Sequence, residues 1–188
     1  MKDRVQMFCS KEYYKKIKED FLKKDLTPWP LKEEEVISWF DTLSLLQRVM
    51  TKVREATFET NETIIFTEYV IPFGNHLRVD YLLVFDREII VLEFGMFNQD
   101  ERRSEERYSK KLVEAMAYSQ VLRNILPKDI NVYNYVMIYK PEYDLSILGE
   151  MIENIRYNES EIGILARFVL NILKKNVEFK AKHQLEKI

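Results

Sequence analysis

The chain has 188 residues, with 29 Lys and Arg against 31 Asp and Glu and a formal net charge of −2. This length fits a single domain with a sizeable core. The charge balance lacks the basic excess that marks many nucleic-acid-binding proteins, so any such contact must come from a local patch.

Cysteine and histidine are scarce, with one Cys and two His. An internal disulfide framework and a thiolate zinc site are therefore excluded. No apolar run approaches the ~20 residues that cross a bilayer, and the first residues lack the apolar core of a signal peptide. We expect a cytoplasmic protein.

Hydrophobic periodicity and turn residues predict the order of the elements. A short charged helix at 11–24 precedes a Pro-rich linker, and a longer helix follows at 33–56. Three strands are predicted at 63–71, 77–85 and 89–96, then a helix at 104–126 and a strand at 131–139. Two short helices, near 145–157 and 160–175, end the pattern before a basic terminus.

This order predicts an α/β fold with a four-stranded mixed sheet flanked by helices, because a meander of three strands is followed by a crossover helix and a fourth strand. Residues 31–140 form the predicted core. Residues 1–30 are expected to be an N-terminal helical extension with its linker, and residues 141–188 a C-terminal helical cover with a basic tail.

Two acids stand inside apolar, β-branched strands: Asp80 in the second strand and Glu93 in the third. A carboxylate there is costly unless it is paired or holds a cation. The polar break at 86–88 predicts a hairpin, and side-chain alternation places both acids on one face. Either the pair shares a divalent cation, or each acid is a structural ion-pair member, with Arg78 the obvious partner of Asp80.

Other charged residues have two interpretations each. Glu68, in the first strand, either adds a third metal ligand or points outward at an edge. The basic residues of the connector before and within the predicted helix, from Arg102 to Lys111, are interleaved with glutamates and suit a solvated helix start as well as a phosphate contact. The lysines after Asn171 make the terminus basic, and they could also contact DNA.

Three short motifs carry a resemblance to a known family: Ile71-Pro72-Phe73-Gly74, Arg78-Val79-Asp80 and Val91-Leu92-Glu93-Phe94-Gly95. Together they resemble the PD-(D/E)XK nuclease superfamily. The resemblance implies a restriction-endonuclease-like core in which Asp80 and Glu93 bind Mg²⁺ or Mn²⁺, with Glu68 as the next ligand candidate. It also implies hydrolysis of DNA phosphodiesters.

Gly95 stands where the family motif has its lysine. Three explanations remain open: the role has moved to Lys111 or Lys110 on the following helix, the chain is a degenerate member that does not cleave, or the likeness is accidental and Gly95 gives a bulge at a strand end. Gln120 resembles the helical glutamine that often follows the core motif, although a surface glutamine is an equal interpretation.

The sequence therefore predicts a metal-dependent DNA nuclease. The rival hypothesis, from a different functional class, is a catalytically inactive module of the same superfamily that binds nucleic acid or a protein partner. The chain has 11 Tyr and 11 Phe, which would suit a homodimer interface, but a well-filled core explains them equally.

Overall fold

A computed structural model describes residues 33–57, 63–71, 77–97, 101–140 and 148–185, together with the isolated helical residue Glu19. The predicted N-terminal extension, apart from Glu19, lies outside these ranges. So does the Pro72-Phe73-Gly74 part of the first motif.

Seven elements follow one another in the order that the sequence predicts from residue 33 onward. They are α1 (Glu33–Ala56), β1 (Ile64–Val70), β2 (Arg78–Phe85), β3 (Glu88–Met96), α2 (Glu101–Ile125), β4 (Asn131–Tyr139) and α3 (Leu148–Leu185). No helix within the described ranges is long and apolar enough to cross a membrane.

The strands form one four-stranded sheet in the order β1-β2-β3-β4. The β1–β2 and β2–β3 pairs are antiparallel, whereas β3 and β4 run parallel, joined by the crossover helix α2. The predicted α/β fold with a mixed sheet flanked by helices is confirmed.

The β2–β3 turn is tighter than predicted. Glu88 is the first residue of β3 and pairs with Phe85, so only Asp86 and Arg87 form the loop. Asp86 has a positive φ of 21°. An acid with a short polar side chain tolerates this region better than most residues do. The turn fixes the register of the two strands that carry Asp80 and Glu93.

The sheet lies between two helical layers. One face packs on α1 and α3 through a cluster that includes Leu46, Leu83, Leu92 and Leu165. The other face packs on α2, where Leu82 and Val91 meet Ala115 and Leu122. Successive strand residues alternate between the faces, so Asp80, two positions before Leu82, and Glu93, two after Val91, lie on the α2 face.

The C-terminal part of the chain differs from the prediction of two short helices. A single helix of 38 residues runs through the polar stretch near Asn158. The reason is that Asn158 is fully buried and serves tertiary structure: its side-chain amide accepts from the Lys140 N–H at 2.9 Å and donates to the Lys140 carbonyl at 2.8 Å. A polar residue that suggests a break thus secures the end of β4.

Candidate active site

Asp80 and Glu93 lie side by side on β2 and β3. The register places Tyr81 opposite Leu92, and one step further Asp80 falls opposite Glu93. At this position carboxylate oxygens accept the hydrogen bonds of the backbone N–H groups. The Asp80 N–H donates to Glu93 Oε1 at 3.0 Å, and the Phe94 N–H donates to Asp80 Oδ2 at 2.9 Å. Each carboxylate is held in place by the neighbouring strand.

Lys111 places its ammonium between these two acids. Its Nζ lies 3.1 Å from Asp80 Oδ2 and 2.6 Å from Glu93 Oε2. Lys111 reaches them because it stands one helical turn before the buried residue Ala115 and three turns before Leu122 on the sheet-facing side of α2. Asp80, Glu93 and Lys111 are called the acid–lysine cluster below.

The cluster combines one cation with two acids in a largely buried setting. Glu93 is 1% exposed. Burial, reinforced by the negative charge of Asp80, raises the pKa of Glu93 to about 8, although Lys111 opposes the shift. Burial acts to lower the pKa of the Lys111 ammonium, but the two carboxylates outweigh it and raise that pKa above its ordinary value. Lys111 therefore stays a cation between the two acids, and the pKa of Glu93 lies above that of an ordinary glutamate.

The cluster opens into a cleft of about 460 Å³ at the end of the sheet, between α1 and α2. Four basic side chains line the cleft: Arg78, Arg107, Lys110 and Lys111. Four acidic side chains line it as well: Asp41, Glu68, Asp80 and Glu114. Gly95 and, from α1, Trp39 form further parts of its walls. The two signs balance, so a phosphate in the cleft would be bound by individual basic side chains and not by a net positive field.

Gly95 lines the cleft without a side chain because its neighbours occupy the available space. A Cβ at residue 95 would overlap the Cδ1 atom of Ile138, its partner on β4, and would touch the Arg107 stem at 3.4 Å. The Arg107 guanidinium continues past this point and donates to the Met96 carbonyl. A lysine at position 95 would require Ile138 and Arg107 to move.

Glu68 does not join the acid–lysine cluster as a third ligand. It falls opposite Asp80 in the β1–β2 register and lines the same cleft, but its backbone has a positive φ of 51° and its carboxylate pairs with Arg78 at 2.9 Å. One sequence interpretation made Arg78 the partner of Asp80. In the structure Arg78 pairs with Glu68 instead. Among the residues that the structure describes, no three His, Cys, Asp or Glu side chains form a group able to hold a metal ion.

Two further predicted site residues lie away from the two acids. Lys110 lines the cleft with a side chain that is 79% exposed. Its Nζ lies 4.0 Å from Glu114 Oε1. Gln120 is exposed and bonds to Asn124. Gln120 follows Lys111 by nine residues, which places it on the opposite side of the helix. The structure thus places Gln120 away from the acid–lysine cluster.

Three more residues lie on the same face of α2, and sequence reasoning placed none of them beside the two acids. Arg107 stands one turn before Lys111 and lines the cleft, and Glu114 contacts the Lys111 ammonium at 3.7 Å. Tyr118 has a pKa raised by partial burial and then by the negative charge of Glu93, so it lies near the cluster. The spacing of three, four and seven residues around Lys111 would have identified all three.

The donor set of the site fits a hard divalent cation. Mg²⁺ is usually bound through one or two carboxylates, with water and substrate phosphate oxygens completing its coordination. Asp80 supplies one such carboxylate at the wall of the cleft, and Glu93, which does not line the cleft, supplies a second one behind it, in contact with the same Lys111 ammonium. The Lys111 ammonium between them shows that the space between the acids favours positive charge.

No protein-family model, curated protein or solved structure matches this chain. The case for its function therefore depends on the geometry of the site and the chemistry of its residues.

Proposed function

We propose that the chain is a metal-dependent nuclease of the PD-(D/E)XK type that hydrolyses DNA phosphodiesters. The observation that carries the proposal is the acid–lysine cluster at the wall of a cleft with four basic side chains. Two carboxylates, a lysine and further basic side chains able to contact phosphate are the parts that phosphodiester hydrolysis with a metal requires.

Lys111 supports the explanation that the motif lysine has moved. Position 95 has no room for a side chain unless Ile138 shifts, while the ammonium of Lys111 arrives from α2 beside both acids. The lysine role does not require a particular place in the sequence. It requires a cation close to the carboxylates, and α2 supplies one.

In this proposal Asp80 and Glu93 hold Mg²⁺ or Mn²⁺ through their carboxylate oxygens. A bound cation would polarise the scissile phosphate and lower the pKa of an attacking water. Lys111 orients that water and stabilises the negative charge that develops on the phosphate oxygens. Arg107 and Lys110, in the same cleft, bind the neighbouring phosphates.

Glu93 has to lose its proton to act as a ligand. Its pKa of about 8 therefore makes cation binding release a proton near neutral pH. The positive charge that replaces this proton is compensated by the same two carboxylates.

The decisive experiment is cleavage of end-labelled DNA with Mg²⁺ or Mn²⁺ by wild type, Asp80→Asn and Glu93→Gln. Both replacements keep the side-chain shape but remove the negative charge. We expect cleavage by wild type and none by either variant, while Glu106→Gln, on the exposed face of α2, cleaves like wild type. Wild-type protein that leaves both single-stranded and duplex DNA intact would contradict the proposal.

One observation favours a second candidate, an inactive module of the same type. The Lys111 ammonium already neutralises the acids, and each carboxylate also accepts a backbone N–H from the adjacent strand. Such a cluster can serve as a structural ion pair. This candidate predicts that Asp80→Asn and Glu93→Gln lower stability and that no metal supports cleavage.

A further inference from the structure

A second cavity, of about 540 Å³, lies beside the cleft at the same end of the sheet. Its walls include Phe97, Tyr108 and Tyr157, which we call the aromatic pocket. The pocket takes one residue from the end of β3, one from α2 and one from α3. The end of β3 and α2, which also line the cleft, thus meet α3 at this point.

The aromatic pocket and the cleft abut. Met96 lines the cleft and the next residue, Phe97, lines the pocket; Arg107 and Tyr108 divide in the same way. Sequence neighbours therefore line the two cavities at two places, at the end of β3 and on α2. Ile138, which touches the space above Gly95, lines the pocket as well.

Lys140 places a cation against two rings of the aromatic pocket, whose own charged lining residues are Glu101 and Glu105. Its Nζ lies 4.6 Å from the ring centroid of Phe97 and 4.9 Å from that of Tyr157. These two rings are 5.6 Å apart. Asn158 makes two hydrogen bonds to the backbone of Lys140 and so fixes the point from which the Lys140 side chain extends.

Aromatic faces next to cations along one groove are the features that recognise unpaired nucleic acid. Bases stack on the rings while lysines and arginines contact the phosphates. A base inside a duplex already has both faces stacked, so it cannot lie on a protein ring unless it is unpaired. Glu101 and Glu105 also line the pocket and are exposed. Their carboxylates would repel additional phosphate groups at its rim.

We infer that the aromatic pocket binds an unpaired base next to the phosphate held in the cleft, so that the substrate is single-stranded DNA or the single-stranded end of a duplex. This inference rests on the proposed function and specifies its substrate class. Tyr108, which is 42% exposed, provides an accessible ring for stacking, and Lys140 contacts the adjoining phosphate.

The test measures binding of the full chain to a fluorescent single-stranded oligonucleotide and to the blunt duplex of the same sequence, with Ca²⁺ replacing Mg²⁺. We expect tighter binding of the single strand. Tyr108→Ala should weaken it about fivefold or more, the lower limit of one base stacked on an aromatic ring. Lys140→Gln should reduce the slope of log K against log salt by about 0.7, the loss of one phosphate contact.

Val113→Ala is the matched control, because Val113 is an exposed apolar residue of α2 that lines neither cavity. Equal or tighter binding of the duplex, or a Tyr108→Ala affinity no weaker than that of the control, would overturn the inference.

Cleavage of the same two substrates with Mn²⁺ separates this inference from the proposed function. Cleavage of the duplex with the single strand left intact would overturn the substrate class and leave the nuclease proposal standing. Single-strand binding that depends on Tyr108, without cleavage of either substrate, would overturn the nuclease proposal and support the pocket.

Discussion

Lys111 determines the charge of the site at the scale of single residues. Its ammonium contacts both acids, so Lys111→Met leaves Asp80 and Glu93 adjacent without a cation. Removing one partner of a buried ion pair costs roughly 3 kcal/mol. We expect a loss of that order in the free energy of unfolding, measured with urea in the presence of EDTA.

The same variant separates a catalytic lysine from a structural one. Lys111→Met should bind Mn²⁺ at least as tightly as wild type, because the ammonium no longer competes for the carboxylate oxygens. Cleavage should nevertheless fall by about 100-fold or more, as when a preorganised donor is removed from a site. Lys128→Met, at an exposed position that lines neither cavity, is the control; wild-type cleavage by Lys111→Met would contradict the role of Lys111.

Glu93 makes the stability of the metal-free protein depend on pH. Its pKa in the folded state is about 8, above its value in the unfolded chain. Stability is therefore greatest below the unfolded pKa and falls as the pH rises through the folded pKa, between about pH 5 and pH 8. Thermal melts in EDTA across this range should show the decline in wild type and its absence in Glu93→Gln. A wild-type melting temperature that rises over the same interval would show that the shift has the opposite sign.

The two acids could be found from the sequence because a carboxylate in a β-branched run is conspicuous, and alternation placed both on one face. Glu68 gave the same signal, but its positive φ and its pairing with Arg78 depend on how β1 and β2 meet, which no local pattern encodes. Lys111 and Lys110 could not be separated until the buried face of α2 was known.

Gly95 and Ile138 show at the level of elements how β4 limits β3. Because Ile138 Cδ1 occupies the space of a Cβ at residue 95, Gly95→Ala should cost about 1–3 kcal/mol through overpacking. The cost should shrink in an Ile138→Val background, which lacks that atom. A double-mutant cycle by urea unfolding measures the coupling.

Gly163 provides the control for this cycle. It lies within α3 with nothing within 4 Å of an added Cβ, so Gly163→Ala should stabilise the protein by roughly 0.5–1 kcal/mol through helix propensity. If Gly95→Ala proves equally harmless in the wild-type background, close packing is not the reason for glycine at that position.

Asn158 connects α3 to the end of β4. Asn158→Ala removes both bonds to Lys140 and leaves a buried N–H and carbonyl without their partner, at a cost of about 2–4 kcal/mol. Asn171→Ala, at an exposed position of the same helix, should stay within about 0.5 kcal/mol of wild type. Chemical denaturation of both variants checks this difference, and similar stabilities would rule out a structural role for the Asn158 amide.

The elements themselves were largely predictable from the sequence. The bounds of α1 and β4 agree with the predicted 33–56 and 131–139, because a long amphipathic pattern and a short apolar strand are strong signals. The predicted break near 158 failed because a buried asparagine that bonds to another element looks the same in sequence as a loop residue. Tertiary contacts override local preference there.

At the scale of the whole molecule, the sheet places all of the proposed chemistry at one end. The cleft and the aromatic pocket lie side by side where β3 and β4 finish, with α1, α2 and α3 supplying their walls. The net charge of −2 does not exclude DNA, because four basic side chains line the cleft and can contact phosphates individually beside the four acidic ones. The net charge of the whole chain therefore does not determine which charged groups a ligand meets inside the cleft.

The metal site can be tested with crystals of the full chain soaked in Mn²⁺, because anomalous scattering locates the ion. We expect an anomalous peak from a Mn²⁺ ion bound by Asp80 and Glu93. The Lys111 ammonium should have moved from between the two acids while still facing the cleft. A structure that shows no peak there, and Lys111 still bridging both carboxylates, would contradict the metal site and favour the inactive module.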